Sequence, residues 1–536
     1  MAPGKGEPMQ VHDFLQQSAR RFPDKTALVC DGRRLSYLEL NDLADRCALG
    51  LAARGINRQD RVIIYLDNSI ESIIAFFGIL KAGAIFIMLN PGMKAGKLNF
   101  ILKDSGARAI ICQAARLPIV NEAAHNAPEL KQIIFVEDQD GDMESEPAAA
   151  PSAKETLPFS ALLEALGGEP GRLPRSIDVD LATIIYTSGS TGEPKGVMSA
   201  HSNVVAAARS ITSYLGNVED DIILNTLPLS FDYGLYQALM ASLCSATLIL
   251  EQSFAFPYRT LELLGKERVT GFPVVPTMVA LMMQLDNLAG LDFSSLRYIT
   301  NTAAALPVSY IEKLAAIFPS ARIFSMYGLT ECKRVAYMPP EELWRRPTSV
   351  GIPIPNEEVF IVDEHGRETG PDTVGELVVR GANVMQGYWN RPEETATTFR
   401  PGKYRGEALL YTGDLFKRDR DGFLYFVARK DDLIKTRGER VSPREVENAL
   451  CAMPGIAEAA VIGVPDEILG QAIMAFVVPL ADREISADQV KQFCTRQLEP
   501  FMVPKHVRFA TSLPRSASGK VDKKPLKAGD WAGLRD

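Results

Sequence analysis

The sequence predicts an α/β protein, with a large N-terminal domain of layered α/β subdomains, a β-rich subdomain after it, and a small α+β C-terminal domain. Three observations lead to this. Helical stretches at Tyr37–Arg54 and Ser69–Ala82 alternate with short apolar runs at Arg61–Leu66 and Ala84–Leu89, the pattern of a largely parallel sheet covered by helices. After Gly351 the texture changes to strand-like runs at Val359–Val362, Glu376–Arg380 and Phe423–Val427, separated by Gly and Asp turns. From Arg429 onward a short charged strand, Asp432–Lys435, is followed by a helix at Pro443–Met453, strands at Ala457–Val464 and Ala472–Pro479, and a helix at Ala487–Leu498.

A chain of 536 residues is too long for one ordinary core. The change of pattern at Ala428–Asp431 divides it into a domain of residues 1–428 and one of residues 429–536. Within the first, Asp138–Pro158 is acidic, rich in Ala and Pro, and aperiodic, which predicts a solvated loop. A second α/β passage runs through Ile222–Leu224, Thr247–Leu250, Gly271–Val275 and Ile323–Tyr327.

Composition narrows the function. A net charge of −8 argues against a general nucleic-acid binder. The seven cysteines form no Cys-x-x-Cys pair and the five histidines no i, i+4 pair, so reduced thiols are expected and a His/Cys metal centre is not. The start, Met1-Ala2-Pro3-Gly4-Lys5-Gly6, lacks the apolar core of a signal peptide. The longest apolar region, Ile73–Leu89, is interrupted by Lys81 and glycines, so no membrane span is predicted and the expected location is cytoplasmic.

The chemistry centres first on Thr187-Ser188-Gly189-Ser190-Thr191-Gly192-Glu193-Pro194-Lys195-Gly196. Glycines let backbone N–H groups converge on an anion, hydroxyls add donors, and Lys195 adds a positive charge. The apolar Leu181–Tyr186 before it reads as a buried strand and His201–Ile211 after it as a helix, which places the loop at a strand-to-helix turn. A Walker loop would end in Gly-Lys-Ser/Thr, whereas this one has Pro194-Lys195-Gly196. A flexible Ser/Gly linker would lack the flanking periodic elements.

This loop resembles the signature loop of the superfamily that contains acyl-CoA synthetases, nonribosomal-peptide adenylation domains and luciferases. Further segments match that superfamily in order: Met326-Tyr327-Gly328-Leu329-Thr330-Glu331, Tyr411-Thr412-Gly413-Asp414-Leu415, Arg429 with Asp431, and Pro514-Arg515-Ser516-Ala517-Ser518-Gly519-Lys520. The resemblance implies that Thr187, Ser188, Gly189, Ser190, Thr191, Gly192 and Lys195 surround the ATP phosphates, that Ala303 and Ala304 flank adenine, and that Tyr327 stacks on it. It also implies that Asp414 and Arg429 hold the ribose, that Thr330 meets a phosphate oxygen, and that Glu331 is a ligand for Mg²⁺, for which a carboxylate oxygen is suited. Lys520 is the implied catalytic lysine. Asp431 is the implied hinge of a mobile C-terminal domain, and Lys435 and Gly438 lie on the loop that would line a thiol tunnel after that domain rotates.

By the same resemblance, the acyl pocket comprises Phe231, Asp232, Tyr233, Tyr236, Pro273, Ile299, Asn301, Met326, Arg334 and Val335. Asp232 stands where peptide-synthetase domains hold an α-amino group. The tyrosines and Arg334 make a partly polar cavity, so a small, cyclic or amino acid is expected over a long-chain fatty acid. The implied reaction is ATP-dependent formation of an acyl-adenylate with release of pyrophosphate, followed by acyl transfer to the thiol of CoA or a carrier-protein phosphopantetheine. An amide-forming ligase of the coronafacate type, passing the acyl group to an amino acid, is the alternative. A luciferase-like oxygenase needs O₂ chemistry that no residue here specifies, and a nucleotide sensor would not need Lys520.

Overall fold

Residues alternate sides along the strand Arg61–Tyr65, and both sides are apolar: Val62 and Ile64 join one core, Ile63 and Tyr65 a second. A strand buried on both faces belongs in the middle of a parallel sheet covered by helices. The computed structural model describes residues 10–137, 154–164, 173–188, 193–285, 288, 290–302, 306–430, 432–436, 439–466, 468–480, 483, 485–515 and 520–529.

Among these residues Arg61–Tyr65 lies centrally in a seven-stranded sheet, ordered Glu155–Pro158, Gln132–Val136, Ala109–Gln113, Arg61–Tyr65, Ile85–Met88, Leu181–Ser188 and Pro194–Ala200. All its pairings are parallel except the last. A nine-stranded sheet has a parallel centre formed by Arg322–Tyr327, Tyr298–Asn301, Gly271–Val274, Ile222–Asn225, Thr247–Leu250 and Thr26–Cys30. One core joins the two sheets through helices that have no solvent face. In Ile70–Lys81 eleven of the twelve residues are buried, and that all-round apolarity marks an interior helix. Its last residue, Lys81, remains charged inside because Nζ donates to Asp45 Oδ1 and to Asn41 Oδ1, both at 2.7 Å. Ser69 caps this helix through the Ser72 amide, and Ser36 caps Tyr37–Ala53 through a reciprocal box with Glu39.

The β-rich region is an antiparallel five-stranded sheet of Glu357–Val362, Gly375–Gly381, Phe399–Pro401, Ala408–Arg418 and Leu424–Arg429, with a separate apolar core. A last five-stranded sheet contains Ile434–Thr436, Glu439–Val441, Ile456–Asp466, Gly470–Pro479 and His506–Phe509, with Pro443–Cys451 and Ala487–Gln497 contributing to the core beside it. Arg429 pairs with Asp414 and so ends the third sheet, while the fourth begins five residues later at Ile434. The mixed α/β architecture with a β-rich region and a smaller C-terminal part is the predicted one.

Two expectations are corrected. The loop predicted at Asp138–Pro158 ends instead in a strand, Glu155–Pro158, which pairs in parallel with Gln132–Val136 at the sheet edge, a partner its own aperiodic sequence does not announce; residues 138–153 lie outside the described ones. The signature segment does not sit at a strand-to-helix turn, because Leu181–Ser188 and Pro194–Ala200 form an antiparallel hairpin around it, and the helix His201–Leu215 begins only after the second strand. Pro194 and Gly196 are poor strand formers, which hid this strand from a reading by propensity. Tertiary pairing makes it: the Trp389 amide donates to Gly196 O at 2.7 Å, and the Met198 amide donates to Gly387 O at 2.9 Å.

Candidate active site

The carboxyl ends of the parallel strands in the nine-stranded sheet carry several of the predicted residues, the usual place for a ligand in an open α/β sheet. Strand Arg322–Tyr327 delivers Met326 and Tyr327, Tyr298–Asn301 ends on Asn301, and Gly271–Val274 ends near Pro273. After Tyr327 the chain turns sharply. The Lys333 amide donates to Leu329 O at 2.7 Å and the Val335 amide returns to Tyr327 O at 2.9 Å, enclosing Thr330 and Glu331 in the bend. Gly328 is needed here: a Cβ on it would lie 2.3 Å from Lys333 O and 2.9 Å from the Arg334 Cα. Gly328→Ala is expected to displace Lys333 and Arg334 and to cost about 1–3 kcal/mol, read as a lower denaturation midpoint with unchanged slope.

Two polar clusters flank the bend. In the first, the Tyr327 hydroxyl donates to Asp414 Oδ2, and Arg429 Nε donates to Asp414 Oδ1 at 2.9 Å. Asp414 is 3% exposed, and its burial raises the carboxyl pKa above the ordinary value even though Arg429, Tyr327 and Lys520 pull it down. The Tyr327 ring meets Phe416 edge-on at 4.9 Å. In the second cluster, the Tyr388 hydroxyl donates to Glu331 Oε1 at 2.8 Å. Lys195 pairs with Glu394 and holds its ammonium 5.7 Å from the centre of the Tyr388 ring. Lys195 and Glu331 are thus linked through Tyr388, a residue the sequence reading missed because nothing in its local pattern marks it.

Lys520 reaches both clusters from the far end of the chain. The residue keeps exposed surface, yet burial around its amine is the largest influence on it and lowers its pKa; Arg429 acts the same way, while Asp232, Asp414 and Glu331 oppose. Three carboxylates from three different segments thus act on one amine.

Asp232 begins the helix Asp232–Cys244, and its Oδ2 lies 3.4 Å from Lys333 Nζ. Lys333 was not among the predicted residues. It is 3% exposed, adopts a left-handed φ of 68°, and holds its amine 4.5 Å from the centre of the Tyr236 ring. Burial is the main reason its pKa is lowered to about 7, with Arg334 adding to that and Asp232 opposing it. Arg334, which a surface salt bridge would have left outside, is instead 2% exposed and donates from Nη1 to Thr302 Oγ1 at 2.6 Å. Tyr233 is buried, with its hydroxyl 2.8 Å from Thr300 O, and Phe231 meets its ring edge-on at 6.2 Å. Pro273 pairs in register with Thr300, and Ile299 is fully buried beside it. Val335 packs with Cys332, Ala336 and Val350 in the core of the β-rich region, apart from the core that holds Tyr233 and Tyr236.

Gly189, Ser190, Thr191 and Gly192, Ala303 and Ala304, Asp431 and Gly438 lie outside the described residues, as do the side chains of Ser188 and Lys435. Thr187 ends the first strand of the hairpin and is half-buried. The donor set fits the predicted Mg²⁺. Among the described residues no group of three or more His, Cys, Asp or Glu side chains surrounds a common point, and Mg²⁺ commonly takes one carboxylate, here Glu331, with phosphates and water completing its shell. Among the described residues no helix is long and apolar enough to cross a membrane.

Comparison with known proteins agrees with this geometry. Residues 15–389 match the AMP-binding enzyme family, and residues 445–520 match the AMP-binding enzyme C-terminal domain. The chain is 30% identical over 539 residues to a long-chain-fatty-acid–CoA ligase of Bacillus subtilis (strain 168), covering 96% of this chain and 94% of that protein. It is 32% identical over 522 residues to tyrocidine synthase 3 of Brevibacillus parabrevis, covering 96% of this chain and 8% of that far longer one. The solved o-succinylbenzoate CoA synthetase from Bacillus subtilis, in complex with its acyl-adenylate intermediate, has a TM-score of 0.81 at 28% identity over 96% of this chain and 97% of that one. Sequence, fold and constellation agree, and the chain belongs to the AMP-binding enzyme family, the ATP-using superfamily of AMP-forming ligases.

Proposed function

We propose that the protein activates a small, polar carboxylic acid as its acyl-adenylate, with release of pyrophosphate, and then passes the acyl group to the thiol of CoA or of a carrier-protein phosphopantetheine. The observation that supports this reading is that Asp232 beside the acyl pocket, Asp414 and Arg429 of the proposed ribose cluster, and Glu331 all act on the Lys520 amine. A group under all four influences suits a role toward both the acid and the nucleotide.

A carboxylate is a weak nucleophile, and bringing it to a triphosphate sets two anions against each other. One carboxylate oxygen must attack the α-phosphorus while the bond to pyrophosphate breaks. Lys520 offsets the repulsion and the charge that builds on the α-phosphate, which is electrostatic catalysis by a positioned charge. Asp414 and Arg429 orient the ribose, and Lys195 lies on the side of the signature hairpin where the leaving phosphates would sit. Bound Mg²⁺, held by Glu331, would neutralise phosphate charge. In the second half-reaction a thiolate attacks the acyl carbonyl and AMP leaves. Lys435 and Gly438 are proposed to line the thiol's path after rotation of the residues beyond Asp431 about that hinge, the closing-and-exchange motion familiar in lid domains.

The test is pyrophosphate release over a broad panel of carboxylic acids, followed by mass spectrometry after adding CoA, a pantetheinylated carrier protein or amino acids. Acid-dependent pyrophosphate with a thioester product is expected. An amide product would replace the thiol step with the amine alternative, and absence of acid-dependent release across the panel would remove the ligase reading.

A further inference from the structure

The reaction described above leaves one set of buried groups without work. Arg334 is 2% exposed; its Nη1 donates to Thr302 Oγ1, the Tyr214 hydroxyl is a second polar neighbour, and its Nε has no partner among the described residues. Among those residues no carboxylate forms an ion pair with it. Asp232, an acid of the predicted pocket, is already engaged by Lys333, and the buried Glu357 accepts from Asn383. Tyr236 Oη and Asn301 Oδ1 are also buried without partners, and Tyr236 lies close enough for Arg334 to influence its hydroxyl. A buried guanidinium without a counter-ion is strongly unfavourable, and one with a free Nε–H is shaped to receive a carboxylate. The same wall argues against an amino acid, because the ammonium that Asp232 would bind is supplied internally by Lys333.

We infer that the substrate acid carries a second acidic group, that Arg334 and the Tyr236 hydroxyl hold this distal carboxylate, and that Lys333 fills the place beside Asp232 that a substrate ammonium would otherwise take. This rests on the acid-activating reading above and names the substrate class: a dicarboxylic acid, of which one carboxylate is adenylated and the other anchored. The thermodynamic logic is that the distal carboxylate supplies Arg334 with the partner the protein withholds, so an acid lacking it leaves a desolvated cation behind. The strained backbone at Lys333 holds it and Arg334 on the pocket wall together.

The test compares straight-chain dicarboxylates from malonate to adipate with monocarboxylates of matched length and with glutamate, by kcat/KM for pyrophosphate release. The best dicarboxylate is expected to exceed its monocarboxylate counterpart by on the order of 10²-fold or more. Arg334→Met is expected to bring the two within a few-fold by raising KM for the dicarboxylate, and Arg334→Lys to keep part of the preference, with thermal melting confirming that both variants fold. Preference of the wild type for a monocarboxylate or an amino acid overturns the inference, as does an equal loss on both acids in Arg334→Met. If no acid releases pyrophosphate, the ligase reading fails separately. Calorimetric titration of the same dicarboxylates in the presence of a non-hydrolysable ATP analogue then decides the inference: binding that Arg334→Met abolishes upholds it, and no binding, or binding unchanged in the variant, ends it.

Discussion

Replacing Lys520 with alanine is expected to lower the rate of acyl-adenylate formation by about 10²–10³, the usual loss when one preorganised charge is removed from an active site. Transfer from a chemically supplied acyl-adenylate to the thiol should survive, because the lysine serves only the step in which two anions meet. Single-turnover measurements of the two half-reactions separate these outcomes, and equal loss of both would strip Lys520 of the role. The pH dependence gives a second check. The lysine acts while protonated and burial lowers its pKa, so kcat/KM should begin to fall on the alkaline side earlier than an ordinary lysine allows. On the acidic side, the raised pKa of Asp414 means that ribose binding is lost as pH falls through a value above the usual carboxylate range. Lys520→Ala should remove the alkaline limb and shift the acidic one to higher pH, because Lys520 helps to hold the Asp414 pKa down.

Replacing Glu331 with glutamine is expected to cost a comparable factor, about 10²–10³ in adenylation, while leaving the fold intact. The glutamine carbonyl can still accept the hydroxyl of Tyr388, which donates to Glu331 at 2.8 Å, so only the charge is lost. The half-saturating Mg²⁺ concentration should rise, read by titrating the metal at fixed ATP. Tyr388→Phe removes the hydrogen bond to the carboxylate and keeps the charge, and should cost about tenfold, in line with roughly 1.5 kcal/mol for a bond to a charged group. A glutamine variant with unchanged metal dependence would show that Glu331 is not the ligand.

Much of this was legible in the sequence because the periodicity and the chemistry coincide. Residues of Ile70–Lys81 are apolar on every side, and only an interior helix fits them. The turn Tyr327–Glu331 follows an apolar strand and shows its carboxylate at once. The hairpin strand Pro194–Ala200 was not legible, because Pro194 and Gly196 are poor strand formers and its pairing with Leu181–Ser188 and its bonds to Gly387 and Trp389 are not written in its own pattern. Lys333 was missed for a related reason. A lysine between Cys332 and Arg334 reads as surface charge, and only the packing of Tyr236 beneath it and the positive φ reveal a buried amine. Arg334 was identified as a wall residue by analogy, but its lack of a protein counter-ion is a property of three dimensions.

The most direct measurement of the central claim is a single-turnover reaction of the protein with ATP and its preferred acid, without CoA or any other acceptor, followed by mass spectrometry. One pyrophosphate and one acyl-adenylate should form per active site, with AMP appearing only when a thiol is added. ADP and phosphate as products, or pyrophosphate that forms equally well without an acid, would contradict it.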